Sequence, residues 1–391
     1  QGEVGETPGV PVIACAQTWP AEKRRRRKKK EMVDPPKRVV INEEVCEGCG
    51  DCGAQSNCVS IVPLETPLGR KRAIDQSSCN KDYSCVKGFC PSFVTVEGGA
   101  LRKAAGTKNA LPANLPPPII PALEQPYNVL ITGVGGTGVV TIGALMGMAA
   151  HLEGKGVIIL DMAGLAQKGG AVMSHVRLAA RPDALHGARI GQKQADLLLA
   201  CDLMVAAGKE AMAASGIERT AAVVNTHVAP TGGFTKIPDW QARPDDLLEQ
   251  LKSGVKQATS IDASRLATKL LGDAVATNVF MLGFAWQLGR VPLSEAALLR
   301  AIELNGTAVE MNTSAFAWGR QAALEPDKVR AAAGVDTPQV MLLPQRVPAL
   351  DTVIADRKTR LAGFQSEKYA QHFEDLVREL AALENSRLGN G

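Results

Sequence analysis

The chain has 391 residues, 45% of them hydrophobic and only 4% aromatic, with a formal charge of +4. That length can bury the cores of two or three domains, and the shortage of rings argues against an aromatic platform for nucleic acid. The positive charge is local: Lys23 to Lys30 are all basic, and outside that run the 40 acidic residues outnumber the bases. Such a run can bind nucleic acid or serve as an address. Here no ring interleaves it and no second basic stripe supports it, so a solvated segment beside an acidic neighbour is preferred and nucleic acid is not an expected partner.

The start, Gln1-Gly2-Glu3, has no basic end leading into an apolar stretch, so no signal peptide is expected. The missing initiator Met suggests a start inside a longer chain. Asn128 to Ala150 carries no charge and is long enough to span a bilayer. Its clustered glycines instead suggest a buried strand, a tight turn and a helix. The expectation is a soluble, cytoplasmic protein with no membrane partner.

Residues 1–33 hold Gly, Pro and the basic run, and read as the frayed end of something upstream. Residues 34–104 hold seven of the nine cysteines with little helical periodicity, which predicts a small module stapled by a cofactor. Residues 105–126 contain Pro112, Pro116, Pro117, Pro118, Pro121 and Pro126, a semi-rigid extended linker. From 127 to 325 strands alternate with helices. Val129–Thr132, Val157–Leu160, Val172–Leu178, Asp202–Ala206 and Ala221–Val224 read as strands. Thr141–Leu152 and Gln192–Leu199 read as Ala/Leu-rich helical stretches. The pattern predicts a Rossmann-like, mostly parallel α/β sheet. Pro292, Ser294 and Glu295 open a helix that Asn305-Gly306 closes, and another follows from Thr307 to about Leu324. Residues 326–391 form a helical tail, with Leu361, Phe364, Tyr369, Phe373, Leu376 and Leu380 at helical spacing.

The cysteines carry the most specific signal. They run Cys46-x2-Cys49-x2-Cys52-x5-Cys58, then Cys79-x5-Cys85-x4-Cys90-Pro91. Three cysteines at steps of three wrap one corner of a cubane, and a remote Cys-Pro supplies the fourth bond. In two-cluster ferredoxins the fourth cysteine of each run crosses to the other cluster. Applied here, Cys46, Cys49, Cys52 and Cys90 make one complete set for a [4Fe–4S] cluster. Cys58, Cys79 and Cys85 make a second set one ligand short, which could hold a three-iron cluster, recruit an oxygen ligand such as Asp82, or stay empty. Cys58 comes after five residues where the pattern has three, and Val59 stands where it has Pro. Disulfides do not suit a chain without a secretory signal, and zinc prefers two separated pairs of ligands. Glycines 48, 50 and 53 suit a loop that turns its amides toward sulfide. Cys201 and Cys15 read as inert.

A second motif, Gly133-Val134-Gly135-Gly136-Thr137-Gly138, follows a strand and opens a helix, and Asp161 ends the next strand. The glycines Gly133, Gly135, Gly136 and Gly138 can cradle a pyrophosphate while the acid holds a ribose. Coenzyme A would use the same physics, and so would plain packing of helix on sheet. Lys168 in the turn Gln167–Gly170 could pair with a phosphate or carboxylate, or simply be solvated. The histidines show no ligand spacing, and His175 reads as structural.

With these motifs in order, the chain resembles the fused indolepyruvate:ferredoxin oxidoreductases, and residues 127–325 are similar to the gamma domain of 2-oxoacid oxidoreductases. The likeness is carried by Val45-Cys46-Glu47-Gly48-Cys49-Gly50-Asp51-Cys52, the basic run after Ala21-Glu22, and Asp75 to Asp82. It extends through Gly133–Gly138, Gln167–Gly170, Ala315 to Arg320, and the tail from Leu350. The resemblance implies a parent enzyme that decarboxylates an aryl-2-oxoacid on thiamine diphosphate with Mg, passes electrons through clusters to ferredoxin, and acylates coenzyme A. The chain has no Gly-Asp-Gly with the following Asn pair of a thiamine site, so no catalytic residue is expected here. By the resemblance, residues 1–33 close an upstream thiamine domain and the tail is cut short at Gly391. The implied partners are ferredoxin, the thiamine-binding part of the same enzyme, and further copies of the chain. Two other readings remain open: a nicotinamide-linked oxidoreductase with Asp161 on the ribose, and a non-catalytic protein binding nucleic acid through Lys23–Lys30.

Overall fold

A computed structural model describes residues 20–28, 31–58, 60–66, 68–99, 115–163, 170–228, 234, 237, 243–335 and 349–388, among which lie thirteen α-helices and ten strands. The chain divides into two units, Gln1–Asp336 and Thr337–Gly391.

The cysteine module is built from two short ladders with almost no core. After α1 (Pro20–Lys28) come β1 (Lys37–Ile41), α2 (Asp51–Ser56), β2 (Ile61–Thr66), β3 (Gly69–Ile74) and β4 (Phe93–Glu97). β1 pairs antiparallel with β4, and β2 with β3. The described part of the basic run is not the solvated segment the sequence suggested. It forms α1, whose Arg24 and Arg27 donate to the backbone carbonyls of Ser78 and Asn80. Carbonyl oxygens accept one bond from each of these two guanidiniums.

The α/β domain follows: β5 (Tyr127–Val134), α3 (Val139–Leu152), β6 (Gly156–Ala163), β7 (Ala171–Ala179), β8 (Leu197–Ala200), α4 (Leu203–Ala206), α5 (Lys209–Ala214), β9 (Ala221–Asn225), α6 (Pro244–Ser253) and β10 (Gln257–Ile261). Then come α7 (Ala263–Leu271), α8 (Thr277–Gln287), α9 (Glu295–Asn305), α10 (Val309–Leu324) and α11 (Pro326–Ala332). The sheet has the order β10-β9-β8-β5-β7-β6 and is mostly parallel, with β7 running against its neighbours. Successive side chains of a strand face opposite layers. Val129 and Ile131 enter the core under α3 and α8, while Leu130 faces the layer that holds Leu203 and Leu251.

One strand differs from the sequence reading. Asp202–Ala206 is not a strand, and Gln192–Leu199 is not helical. The strand is Leu197–Ala200, buried at every position. A strand buried on both faces is continuously apolar and shows no period. Asp202 instead caps a helical turn, accepting from the Val205 amide at 3.0 Å. The expected helix at 295–305 has Ser294 as its N-cap and Gly306 at φ 65 as its C-cap.

Helix α8 is buried at every residue and crosses α10 at backbone contact. A Cβ on Gly283 would stand 2.1 Å from Phe316 O, and one on Gly319 would stand 2.0 Å from Phe280 O. Around this crossing, Arg320 lies 4.8 Å from the Trp286 ring. It bonds Gln287 and Glu295 and reaches Leu115 O at 3.1 Å, so the described end of the proline-rich segment is tied to the α/β domain.

The second unit is a helical hairpin of α12 (Leu350–Phe364) and α13 (Glu367–Leu388). Arg378 pairs with Asp351 at 3.1 Å and Lys358 with Glu374 at 2.6 Å. Ile354 and Ala370 are buried between the helices, but Phe364, Tyr369, Leu376 and Leu380 of the expected apolar face are exposed.

The helix crossing is open to test. Gly283→Ala or Gly319→Ala should destabilise the fold by about 3 kcal/mol, because backbone cannot yield to a methyl. Gly363→Ala, at an open helical position, should be neutral or stabilise by up to about 1 kcal/mol. Chemical unfolding followed by circular dichroism separates the two cases.

Candidate metal centre

The two ladders decide which cysteines meet. β1 and β4 end on the pair Ile41 and Phe93, and the Asn42 amide donates to Ser92 O at 2.7 Å. Cys90 therefore arrives at the end from which the Cys46–Cys52 loop departs. Its Sγ lies 3.0 Å from Ser92 Oγ, and the Cys46 amide donates to Asn42 O at 3.0 Å. β2 and β3 end on Ile61 and Ile74, and the Asp75 amide donates to Ser60 O at 2.8 Å. That places Cys58, just before one strand, beside Cys79, just after the other. The charges sort the same way. Cys46 and Cys49 are felt at Cys52, whereas Cys58 and Cys79 are felt at Cys85. The chain carries two separate trios, one of them beside Cys90.

Local backbone explains how the loops hold these positions. Gly48 and Gly50 take φ 78 and 84, and a Cβ on Gly48 would stand 2.2 Å from Arg70 O. In the second loop Lys81 and Tyr83 adopt left-handed φ of 54 and 57, which costs about 1 kcal/mol or more each. The Lys81 amide is thereby directed at Cys79 Sγ, 3.4 Å away. Burial pushes the Cys52 and Cys85 thiols up to about 11, with neighbouring sulfurs adding to the push. Burial also raises Cys79, and Cys58 adds to it. These thiols are protonated at neutral pH, so any metal must displace their protons.

Cys58, Cys79 and Cys85 line a cavity together with Lys37, Arg38, Lys81, Ser60 and Asn80. Several buried polar atoms here have no partner: Arg38 Nε, Ser60 Oγ, both polar atoms of the Asn80 side chain, and Arg27 Nε close by. Buried polar groups are almost always hydrogen-bonded. Three thiols among cations and orphaned polar atoms suit an anionic, sulfide-bearing group. The enclosed space is about 20 Å³, the room of a single water, so seating a cluster spreads the loops. Among the described residues no group of three or more His, Cys, Asp or Glu is placed to hold one metal ion. In a cubane each thiolate bonds a different iron, so the sulfurs do not converge on one atom.

Asp82 lines the same cavity, its Oδ1 accepting from the Ser84 amide at 3.1 Å and hydroxyl at 2.8 Å. Ser60 and Asn80 are the orphaned oxygens of this cavity. Cysteine spacing gave no sign of them, since only the folded loops bring Ser60 beside Asn80.

The glycine loop has packing reasons for its composition. A Cβ on Gly133 would stand 2.6 Å from Val139 Cγ2, Gly138 caps α3 at φ 101, and the Gly135 amide donates to Gly170 O at 2.7 Å. Gly136, at φ 86, has open space beside it, and Asn278 donates to Thr137 O at 3.1 Å. Asp161 is exposed on β6, and β7 lies between β6 and β5. Two strand spacings, about 10 Å, separate it from the strand that leads into the loop, so the ribose role is corrected: a dinucleotide fold needs those strands adjacent. Lys168 lies outside the described residues. His175 is structural, its Nδ1 accepting from the Ile190 amide at 3.3 Å, and burial holds its pKa below the usual value. No helix among the described residues is long and apolar enough to cross a membrane.

A family model for pyruvate ferredoxin/flavodoxin oxidoreductase matches residues 128–322, which run from β5 to α10. An indolepyruvate oxidoreductase subunit IorB from Pyrococcus horikoshii is 30% identical over 206 residues, covering 51% of this chain and 96% of the relative. The IorB subunit of Methanothermobacter thermautotrophicus is 28% identical over 203 residues, covering 51% and 98%. A solved gamma subunit of a keto/oxoacid ferredoxin oxidoreductase from Geobacter sulfurreducens aligns at 22% identity and TM-score 0.36, over 51% of this chain and 98% of that one. The chain belongs to the 2-oxoacid:ferredoxin oxidoreductases, the family of the pyruvate ferredoxin/flavodoxin enzymes.

Thiol chemistry tests this arrangement. Cys201 is buried and its thiol is pushed up to about 12 by that burial. While the exposed Cys49 reacts, Cys201 should resist alkylation in the folded, metal-free protein at pH 8. Its value lies above the ordinary 9.0, so its neutral burial stabilises in full below that pH, and the contribution is lost as pH rises toward 12. Mass spectrometry of alkylated peptides reads the first effect, and melting curves across that range read the second.

Proposed function

We propose that this chain is the electron-carrying and gamma-domain portion of an indolepyruvate-type 2-oxoacid:ferredoxin oxidoreductase. The observation that carries the reading is the pair of cysteine trios, placed at the ends of two separate ladders and followed by a domain of this family. Cys46, Cys49, Cys52 and Cys90 hold a [4Fe–4S] cluster. Cys58, Cys79 and Cys85 hold a second cluster, with Asn80 or Ser60 as the oxygen donors within the same cavity. Bound clusters accept single electrons at low potential, which suits the stepwise oxidation that follows decarboxylation.

This chain's own residues bind and orient. The thiols lose their protons on loading, Gly48 and Gly50 turn the first loop, and the Lys81 amide donates to Cys79 Sγ. Carbon–carbon cleavage belongs to a thiamine-diphosphate site with Mg on another part of the enzyme, with coenzyme A as co-substrate and an aryl-2-oxoacid as donor. Ferredoxin takes the electrons. The reaction is assigned to the cytoplasm, where free thiols persist. Neither other reading gains an observation: β7 separates Asp161 from the loop strand, and Arg24 and Arg27 are engaged within the chain.

Anaerobic reconstitution followed by iron and acid-labile sulfide analysis tests the proposal. About seven or eight of each per chain supports two clusters, and about four supports one. Zinc, or no iron at all, would overturn it.

A further inference from the structure

We infer that the basic helix α1 gives the module a direction: Arg24 and Arg27 raise the reduction potential of the Cys58–Cys79–Cys85 site above that of the Cys46–Cys49–Cys52–Cys90 site. The inference rests on the proposed function and adds to it the order in which electrons pass.

Residues three apart share a helix face, and α1 turns Arg24 and Arg27 toward the same loop. Arg24 Nη1 donates to Ser78 O at 2.6 Å, and Arg27 Nη1 donates to Asn80 O at 2.7 Å. The two guanidiniums bracket Cys79 on both sides. Arg26 Nε donates to Glu22 at 3.1 Å, so another member of the run is spent within the helix itself. A guanidinium keeps its charge at every working pH, and its fork fixes where that charge sits.

The surroundings of the two trios differ in sign. Lys37, Arg38 and Lys81 line the second cavity. The acid nearest these cations, Asp34, is spent on Lys81 and on Arg38, the latter at 2.8 Å. Asp82 also lines this cavity and its charge is felt at Cys79 and Cys85, so the cations lining it outnumber the carboxylate three to one. The first loop has Glu47 and Asp51 between its cysteines and Glu43 and Glu44 just before them. Cys49 is exposed. Arg72 is the cation felt at Cys52.

Reduction adds a negative charge, which nearby cations stabilise and nearby carboxylates oppose. Net charge, hydrogen bonds to sulfur and exposure are the levers that set cluster potentials. Charge favours electron residence at the second trio, which has the cations; backbone amides donate to sulfur at both sites, and the lower exposure of the second trio works against the added charge. The balance is one electron out of the first site and one into the second, with no proton moved. The oxidative decarboxylation supplies the electron, and a one-electron iron–sulfur carrier removes it.

A redox titration of the reconstituted full chain, followed by EPR, tests the inference. The unaltered protein should show two potentials. In R24Q/R27Q the higher one should fall while the lower stays put and iron content is unchanged. R24K/R27K keeps the charge and should restore most of the difference. If the Gln double variant loses iron, the single variants R24Q and R27Q should each show a smaller fall. Unchanged potentials in the Gln variants, or a shift confined to the lower one, would overturn the inference. Failure of the underlying reading looks different: the unaltered protein itself would lack iron, or hold only one cluster.

Discussion

A module that buries almost no hydrocarbon must be held together by something else. Between residues 34 and 99, the buried apolar side chains among those described are Val39, Ile41, Cys46, Cys58 and Ile61. Two of the five are candidate ligands. Domains this small rarely stand on hydrophobic burial alone and rely on disulfides or metals. The cysteines here are free thiols, several with raised pKa values, clustered around polar atoms that lack partners. The strand ladders, the left-handed turns at Gly48, Gly50, Lys81 and Tyr83, and the grip of α1 on the Cys79 loop all position sulfur.

The α/β domain contributes a rigid base, stiff because α8 is fully buried and crosses α10 with no room for a Cβ at Gly283 or Gly319. Two contacts join this base to what precedes it. Arg320 and Gln287 bond the carbonyls of Leu115 and Pro116, and Arg72 of β3 lies 4.9 Å from the Phe234 ring. A cluster carrier gains from being fixed near its neighbours, because electron transfer rewards short, constant distances. The second unit is a charged hairpin with exposed apolar residues.

Much of this was legible in the sequence where a residue type has one dominant physical use. The Ser294 cap with Gly306 and the turn at Gly133–Gly138 each announced a local structure that the fold contains. Period-based reading failed where burial is complete. Leu197–Ala200 and Thr277–Gln287 have no polar face, so neither alternation nor a helical stripe marks them. The order of strands also lay beyond local pattern. Nothing in Asp161 reveals that β7 inserts beside β5, and that insertion is what separates the acid from the loop. The partners of Arg24 and Arg27 are more than fifty residues away, so a run that looks merely solvated has a specific seat. Ser60 and Asn80 became visible only once their side chains were found buried without partners.

The account stands on the two trios being separate sites, and site-resolved EPR of single-cysteine variants addresses that most directly. After anaerobic reconstitution and dithionite reduction, Cys52→Ser should lose one signal and Cys79→Ser the other, each retaining about half the iron. If both substitutions abolished the same signal, or neither altered the spectrum, the cysteines would not be partitioned as the ladders place them, and the two-site account would be wrong.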